Sequence, residues 1–181
     1  TWYRNHKEGK GIMYFYNGDR YEGSWKNDKR NGEGTYYYQS GAYYKGSWVD
    51  DQKEGKGIFD WKDGSKYEGE WAKNMRNGRG TYFYADGDYY NGEWKNDMQD
   101  GRGIYKFRNG DTYEGRYLMG ERTGMGTFRF ANGDSYVGNF LNGEQNGQGT
   151  FQWKGVATYK GQWQNNMMHG RGIYKWKNGD E

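Results

Sequence analysis

The chain has no cysteine and no proline among its 181 residues. Without cysteine there is neither a disulfide framework nor a thiolate metal site. It has no Asn-x-Ser/Thr sequon, no signal peptide and no apolar run of about 18 residues. The compartment this points to is the cytosol. Aliphatic residues are scarce as well, with only Leu118 and Leu141 to represent leucine. Hydrophobic residues amount to 32% and aromatic ones to 20%, so most of the apolar surface is ring. A thick aliphatic core is excluded. A thin layer of stacked rings is feasible, because each ring can bury roughly 150–250 Å². Disorder is excluded too, since aromatics are what disordered segments lack.

What is abundant is glycine, 33 residues of it, placed beside the largest rings. The cadence YEGSW at Tyr21 and YKGSW at Tyr44 returns at Tyr67, Tyr90, Tyr113, Tyr136 and Tyr159, each start 23 residues after the last. Repeats of this length mean a solenoid or an array. With the Tyr of Y-x-G-x-W as position 1, seven full units fill 21–43, 44–66, 67–89, 90–112, 113–135, 136–158 and 159–181. Residues 1–20 supply positions 4 to 23 of an eighth, with Trp2 at position 5. The whole of 1–181 is thus one repeat array. It begins inside a unit and without Met, which reads as part of a longer protein.

Position 1 is always Tyr, and positions 3, 12 and 14 are always Gly. Position 5 is Trp2, Trp25, Trp48, Trp71, Trp94, Tyr117, Phe140 or Trp163. Position 16 is Met13 or an aromatic, and position 18 is aromatic in every unit. Positions 1, 3, 5 and 14, 16, 18 alternate with variable, mostly polar residues. That period of two is the strand signature. Each unit therefore reads as two short strands joined by an inter-strand loop. The second strand ends at dipeptides such as Asn17-Gly18, Ser40-Gly41, Asp86-Gly87 and Asn109-Gly110, which supply the positive φ of a tight hairpin turn. Gly155-Val156 departs from this, so that turn must differ. Rings and glycines share one face, and a glycine without Cβ lets a ring lie on bare backbone. The expected architecture is all-β: an elongated, single-layer antiparallel solenoid with one hairpin per unit. About 15 strands at roughly 4.8 Å would span about 70 Å, with open edges. Tyr21, Trp25, Tyr44, Trp48, Tyr67, Trp71, Tyr90, Trp94, Tyr113, Tyr117, Tyr136, Phe140, Tyr159 and Trp163 form its structural ladder.

The pattern Y-x-G-x-W, then G-x-G seven positions later, an aromatic and x-G-D, closely resembles the MORN repeat. The resemblance covers essentially the whole chain. It implies a hairpin solenoid. MORN arrays occur in junctophilins, plant phosphatidylinositol phosphate kinases, a lysine methyltransferase and ciliary radial-spoke head proteins. The array of NGDxYxGxW units is most similar to the radial-spoke type. The family name implies membrane binding, while many members look like protein scaffolds.

Other chemistries find little support. The G-x-G pairs lack the further glycines, Lys-Ser/Thr or following helix of a phosphate loop. Asp19, Asp88, Asp111, Asp134 and Asp180 follow turn glycines, and one carboxylate per 23 residues is too sparse for calcium. His6 and His169 lie near opposite ends and read as exposed loop residues, so neither zinc nor acid/base pairing is expected. No nucleophile triad assembles, and no enzyme activity or cofactor is expected. Net charge is +3, and block charges stay between −1 and +2. No block is the basic patch that a lipid surface or nucleic acid requires.

Partners are expected where units differ. Positions 2, 4, 13, 15, 17 and 23 point to the second face, where Tyr14, Tyr37, Tyr43, Phe83 and Tyr89 gather in residues 14–89. Grouped exposed rings suggest an interface, or simply pack on one another. Met75 and Met98, with Met167, add a flexible candidate contact in the loop. Tyr37→Ser with Phe83→Ser should weaken partner binding and keep the fold. The reading is a non-catalytic scaffold in a cytoskeletal or ciliary, radial-spoke-like assembly, in cytoplasm or axoneme, binding other proteins. Open edges and rings also admit a homodimer. The alternatives are a phosphoinositide-tethering module and a regulatory array of a larger enzyme.

Overall fold

A computed structural model describes residues 2–3 and 5–180; the side chain of Trp2, assigned above to ring position 5, lies outside the described residues. The described chain is all strand and turn. A short pair, β1 (Trp2–Tyr3) and β2 (His6–Lys7), precedes an open sheet of fifteen strands in strict chain order, from β3 (Gly9–Tyr14) to β17 (Met167–Trp176). The chain divides into two compact units, Thr1–Asp86 with Trp94–Asp97, and Gly87–Glu93 with Met98–Glu181.

In the first unit, β4 (Arg20–Lys26) pairs antiparallel with β5 (Lys29–Tyr37), and β5 with β6 (Tyr43–Val49). β7 (Gln52–Asp60), β8 (Lys66–Ala72) and β9 (Met75–Phe83) continue the ladder. In the second unit the same meander runs from β11 (Met98–Lys106) through β12 (Thr112–Leu118), β13 (Glu121–Arg129), β14 (Ser135–Leu141), β15 (Glu144–Trp153) and β16 (Ala157–Gln164) to β17.

The second strand of each hairpin is longer than the alternation predicts. It starts at position 9, not 14, as β5, β7 and β9 show. Met75, Met98 and Met167 therefore open strands and do not sit in loops. His6 and His169 are likewise exposed strand residues. What lengthens the strand is a tight turn at positions 7 and 8. Both its residues have positive φ: Asn27 and Asp28, Asp50 and Asp51, Lys73 and Asn74, Asn142 and Gly143. That is the type I′ requirement, whose twist matches the flanking strands.

The Asn-Gly dipeptides make a different turn from the one expected. At Asn17-Gly18, Asn109-Gly110 and Asn132-Gly133, which end the second strands, only the Gly has positive φ, as at Gly110 (+97°). The Gly110 N–H donates to the Phe107 carbonyl (3.0 Å), and Phe107 N–H to the Asp111 carbonyl (3.0 Å). This is a four-residue turn closed by a left-handed glycine. Gly155 places its positive φ (+70°) one residue earlier, and Val156 N–H closes that turn on Trp153.

Candidate functional site

The buried layer is built on position 1. Tyr21, Tyr44, Tyr67, Tyr90, Tyr113 and Tyr136 are fully buried. Each hydroxyl donates to the carbonyl of position 4 in its own unit, Tyr67 to Glu70 at 2.9 Å and Tyr136 to Asn139 at 2.8 Å. The ring needs glycine on both strands beneath it. A Cβ at Gly69 or Gly80 would collide with the Tyr67 ring or hydroxyl, and Gly69 would also meet the Gly80 backbone. Position 12 serves another purpose. A Cβ at Gly32 would meet Ser24 at 3.2 Å and no ring. Its φ is +83°, and it lies where the register of β4 and β5 shifts between Gly23 and Trp25. It is a bulge glycine.

The position 5 rings close the layer edge-on. Tyr44 meets Trp48 at 5.1 Å and Trp71 at 5.4 Å, with interplanar angles of 88° and 85°. The indole N–H of Trp71 donates to the Gly57 carbonyl (3.2 Å), and that of Trp163 to Gly149 (3.2 Å). Tyr117 and Phe140 are buried in the same place but have no indole to make this bond.

Over this layer lies a second row of rings from positions 16 and 18, buried at Tyr36 and Phe59 and half-buried at the others named here. In the first unit Tyr36, Tyr38, Phe59, Trp61 and Tyr82 follow one another at 4.4–5.5 Å. In the second unit Phe107, Phe128, Phe130, Phe151, Trp153 and Tyr174 do the same at 4.5–5.7 Å. There the row opens into a groove of about 800 Å³ lined by Phe107, Phe130, Phe140, Trp153, Arg122, Gln145 and Met168. Phe140 and Trp163 are the position 5 rings that line it.

Position 10 lies outside the alternating pattern of the sequence, yet it decides the character of this face. In the first unit it is Lys7, Arg30, Lys53 and Arg76; in the second it is Gln99, Arg122, Gln145 and Met168. The cations lie over rings. The Arg30 guanidinium is 4.5 Å from the Trp48 centroid, Arg76 is 4.6 Å from Trp94, and the Lys53 ammonium is 4.7 Å from both Phe59 and Trp71. Such contacts are attractive because the ring face is negative. Arg30 pairs with Asp51 at 2.9 Å and Arg76 with Asp97 at 3.1 Å. Lys53 meets Asn74 at the equivalent place, whose side-chain oxygen accepts the Lys53 backbone N–H (2.8 Å). Burial lowers the Lys53 ammonium to about 8; Asp97 opposes the shift, and Arg30 and Arg76 add to it. A 23-residue recurrence of Lys or Arg was the signal available in the sequence.

The aspartates after the turn glycines tie neighbouring turns together. Asp19 accepts the Gln39 N–H (2.8 Å) and the Tyr36 hydroxyl (2.6 Å), and Asp134 accepts the Lys154 N–H (2.8 Å). The Tyr36 hydrogen bond, before the others, holds the Asp19 carboxyl below its ordinary value. Among the described residues no group of three or more His, Asp and Glu is placed to hold a metal ion.

The expected partner residues sit on the other face. Tyr14 is 70% exposed and Phe83 36% exposed, while Tyr37, Tyr43 and Tyr89 are half-buried. They are partly covered. Tyr37 and Tyr43 are cross-strand neighbours with ring centroids 6.3 Å apart. Arg20 lies 4.4 Å over Tyr37, Lys62 5.1 Å over Tyr43, Lys66 5.0 Å over Phe83 and Lys106 5.6 Å over Tyr89. In the first unit that face also holds a smaller hollow of about 540 Å³ with mixed charges, including Glu33, Lys45, Lys56, Glu70 and Arg79.

Among solved structures, the chain is similar to the TCP domain of SAS-4 (dCPAP) of Drosophila melanogaster in complex with a proline-rich motif of Ana2 (dSTIL). Identity is 16%, 94% of this chain and 86% of that one are covered, and the TM-score is 0.52. It is similar as well to the G-box domain of the microcephaly protein CPAP, described with a suggested role in centriole elongation. There identity is 11%, coverage 95% and 96%, and the TM-score 0.53. At these identities the likeness is one of fold. No curated protein matches the chain. The MORN repeat family matches residues 1–20, 21–43, 44–66, 67–89, 90–112, 113–135, 136–155 and 159–181. With the tyrosine–glycine layer repeated through almost every residue, the chain belongs to the MORN repeat family.

Proposed function

We propose that the chain is a non-catalytic docking scaffold of a cytoskeletal assembly, centriolar or ciliary in setting, that takes an extended protein segment along its ring face. The observation that carries this is the second row of rings, open as a groove of about 800 Å³ in the second unit. MORN repeats are a non-catalytic repeat type associated with protein interaction or membrane binding. The fold neighbours are centriolar proteins, and one is held with a proline-rich motif. The dimensions agree with such a ligand. A polyproline II helix advances about 9.3 Å per three-residue turn. Two strands of a sheet advance about 9.6 Å. One ligand turn per repeat would therefore stay in register with the rings, and aromatic-lined grooves are the usual seat of that helix.

The test compares the two faces. Phe107→Ser with Phe130→Ser should abolish retention of the protein in the detergent-insoluble cytoskeleton while the β-sheet spectrum stays intact. Tyr37→Ser with Phe83→Ser should leave retention unchanged. The reverse pattern would move the site to the second face. A membrane-tethering reading has one observation behind it, the Lys and Arg residues recurring at position 10, and it predicts release of the protein with solubilised membranes.

A further inference from the structure

Deepening that reading, we infer that Lys53 is a docking anchor for a carboxylate side chain of the partner segment, so that the first unit's ring face selects an acidic extended peptide. Its two neighbours at position 10 are already neutralised inside the protein, Arg30 by Asp51 and Arg76 by Asp97. Lys53 stands between them in the repeat order and has no carboxylate within ion-pair distance among the described residues, because Asn74 replaces the aspartate. Across these three repeats the face therefore holds one surplus positive charge at one defined place.

That charge is set in an apolar frame. The Lys53 ammonium lies 4.7 Å from the Phe59 and Trp71 centroids and 5.5 Å from Tyr44. Tyr38 and Trp61 flank Phe59 at 5.5 and 4.4 Å. Ring contact compensates an ammonium only in part, whereas a carboxylate supplies charge and hydrogen-bond acceptance together. The nearby ionic groups are Arg30 and Arg76, which repel Lys53, and Asp97, which is held by Arg76. None can swing in as a substitute without abandoning an existing bond. A peptide carboxylate would complete the third pair while its neighbouring residues cover the rings. Charge pairs of this kind contribute selectivity more than raw affinity.

Two fluorescein-labelled 13-residue polyproline peptides test this, one with a central Glu and one with a central Gln, read by fluorescence anisotropy at low and high salt. The protein is the chain as it stands, with Lys53→Met and Lys53→Gln as variants. Met is chosen because Met168 occupies the same repeat position. The expected result is about five- to tenfold tighter binding of the Glu peptide by the parent, stronger at low salt. Both variants should lose that preference and keep their affinity for the Gln peptide within about twofold. If Lys53→Met does not fold, Lys53→Gln decides. Equal binding of the two peptides by the parent would overturn the anchor and leave the ring-face reading standing. Binding of neither peptide would overturn both. A Glu preference that survives both variants would place the carboxylate elsewhere and so overturn the anchor. Vesicles of phosphatidylcholine with 5% phosphatidylinositol bisphosphate form the last arm: Lys53-dependent binding to them without any peptide preference would assign the charge to a lipid headgroup instead.

Discussion

Tyr67 and Gly80 are a matched pair. The ring is fully buried, and the glycine is the surface it rests on. A side chain at Gly80 must displace the Tyr67 ring. Gly80→Val is expected to cost about 3 kcal/mol, the upper end for forcing extra atoms into a packed layer. Arg79→Val, one residue away on the exposed side, is expected to stay within about 0.5 kcal/mol. Urea unfolding of the two variants checks this, and equal midpoints would refute the ring-on-glycine packing. This contact was legible because alternation puts positions 1, 3 and 5 on one face. The role of position 12 was not. Glycine at a bulge and glycine under a ring look alike in a sequence, and only the φ of +83° at Gly32 separates them.

At the scale of the element, the turns at positions 7 and 8 couple each hairpin to the one before. The Asp51 carboxylate accepts the Arg30 backbone N–H (2.9 Å), Asn74 serves Lys53 (2.8 Å), and Asn166 serves Gln145 (2.8 Å). Gly143 occupies the same place before Arg122 and offers no side chain; its own N–H donates to the Arg122 carbonyl (3.0 Å). Its φ of +82° lies on the left-handed side, where Asn is among the few L residues enriched. The Glu121 carboxylate that a Cβ would approach is the end of a flexible side chain. Gly143→Asn should add the missing acceptor and reduce unfolded-state freedom. The expected gain is about 0.5–1 kcal/mol, or a melting temperature about 1–4 °C higher by calorimetry. The sequence pattern is misleading at this scale. Asn-Gly is the commoner hairpin signal, yet of the two-residue turns named here only Asn142-Gly143 carries it, while the others are Asn27-Asp28, Asp50-Asp51 and Lys73-Asn74. Their positive φ is sustained by the hydrogen bonds that stack one turn on the next, and those depend on residues 19 to 21 positions apart. Local reading cannot see them.

For the molecule as a whole, charge by block is a poor guide to charge by face. The 23-residue blocks nearly cancel, but the acids are drawn to turns while Arg30, Lys53 and Arg76 stay on the rings. Titration exposes the same layering. Burial raises Tyr21, Tyr113 and Tyr136 to about 12 and pushes Tyr44, Tyr67 and Tyr117 still higher. In the unfolded chain they ionise near 10. Above pH 10 the unfolded state therefore sheds protons that the folded state keeps. The stability these groups provide is complete below pH 10 and is lost as pH rises through 12. Each contributes a slope of at most about 1.4 kcal/mol per pH unit in that window. Lys53 has the opposite sign. Its folded value, lowered to about 8, lies below the ordinary 10.5, so stability rises slightly between those two values. One lysine is set against these six tyrosines and against Tyr36 and Tyr38, which burial raises as well, so the fall dominates. Melting temperature followed by circular dichroism should be level or slightly rising from pH 8 to 9.5, then drop steeply from pH 10 to 11.5. Lys53→Met should flatten the rise and leave the drop where it is. A melting temperature that holds constant to pH 11.5 would mean the tyrosine layer already ionises within the fold, and the buried hydroxyl-to-carbonyl bonds of position 1 would not be what holds each repeat.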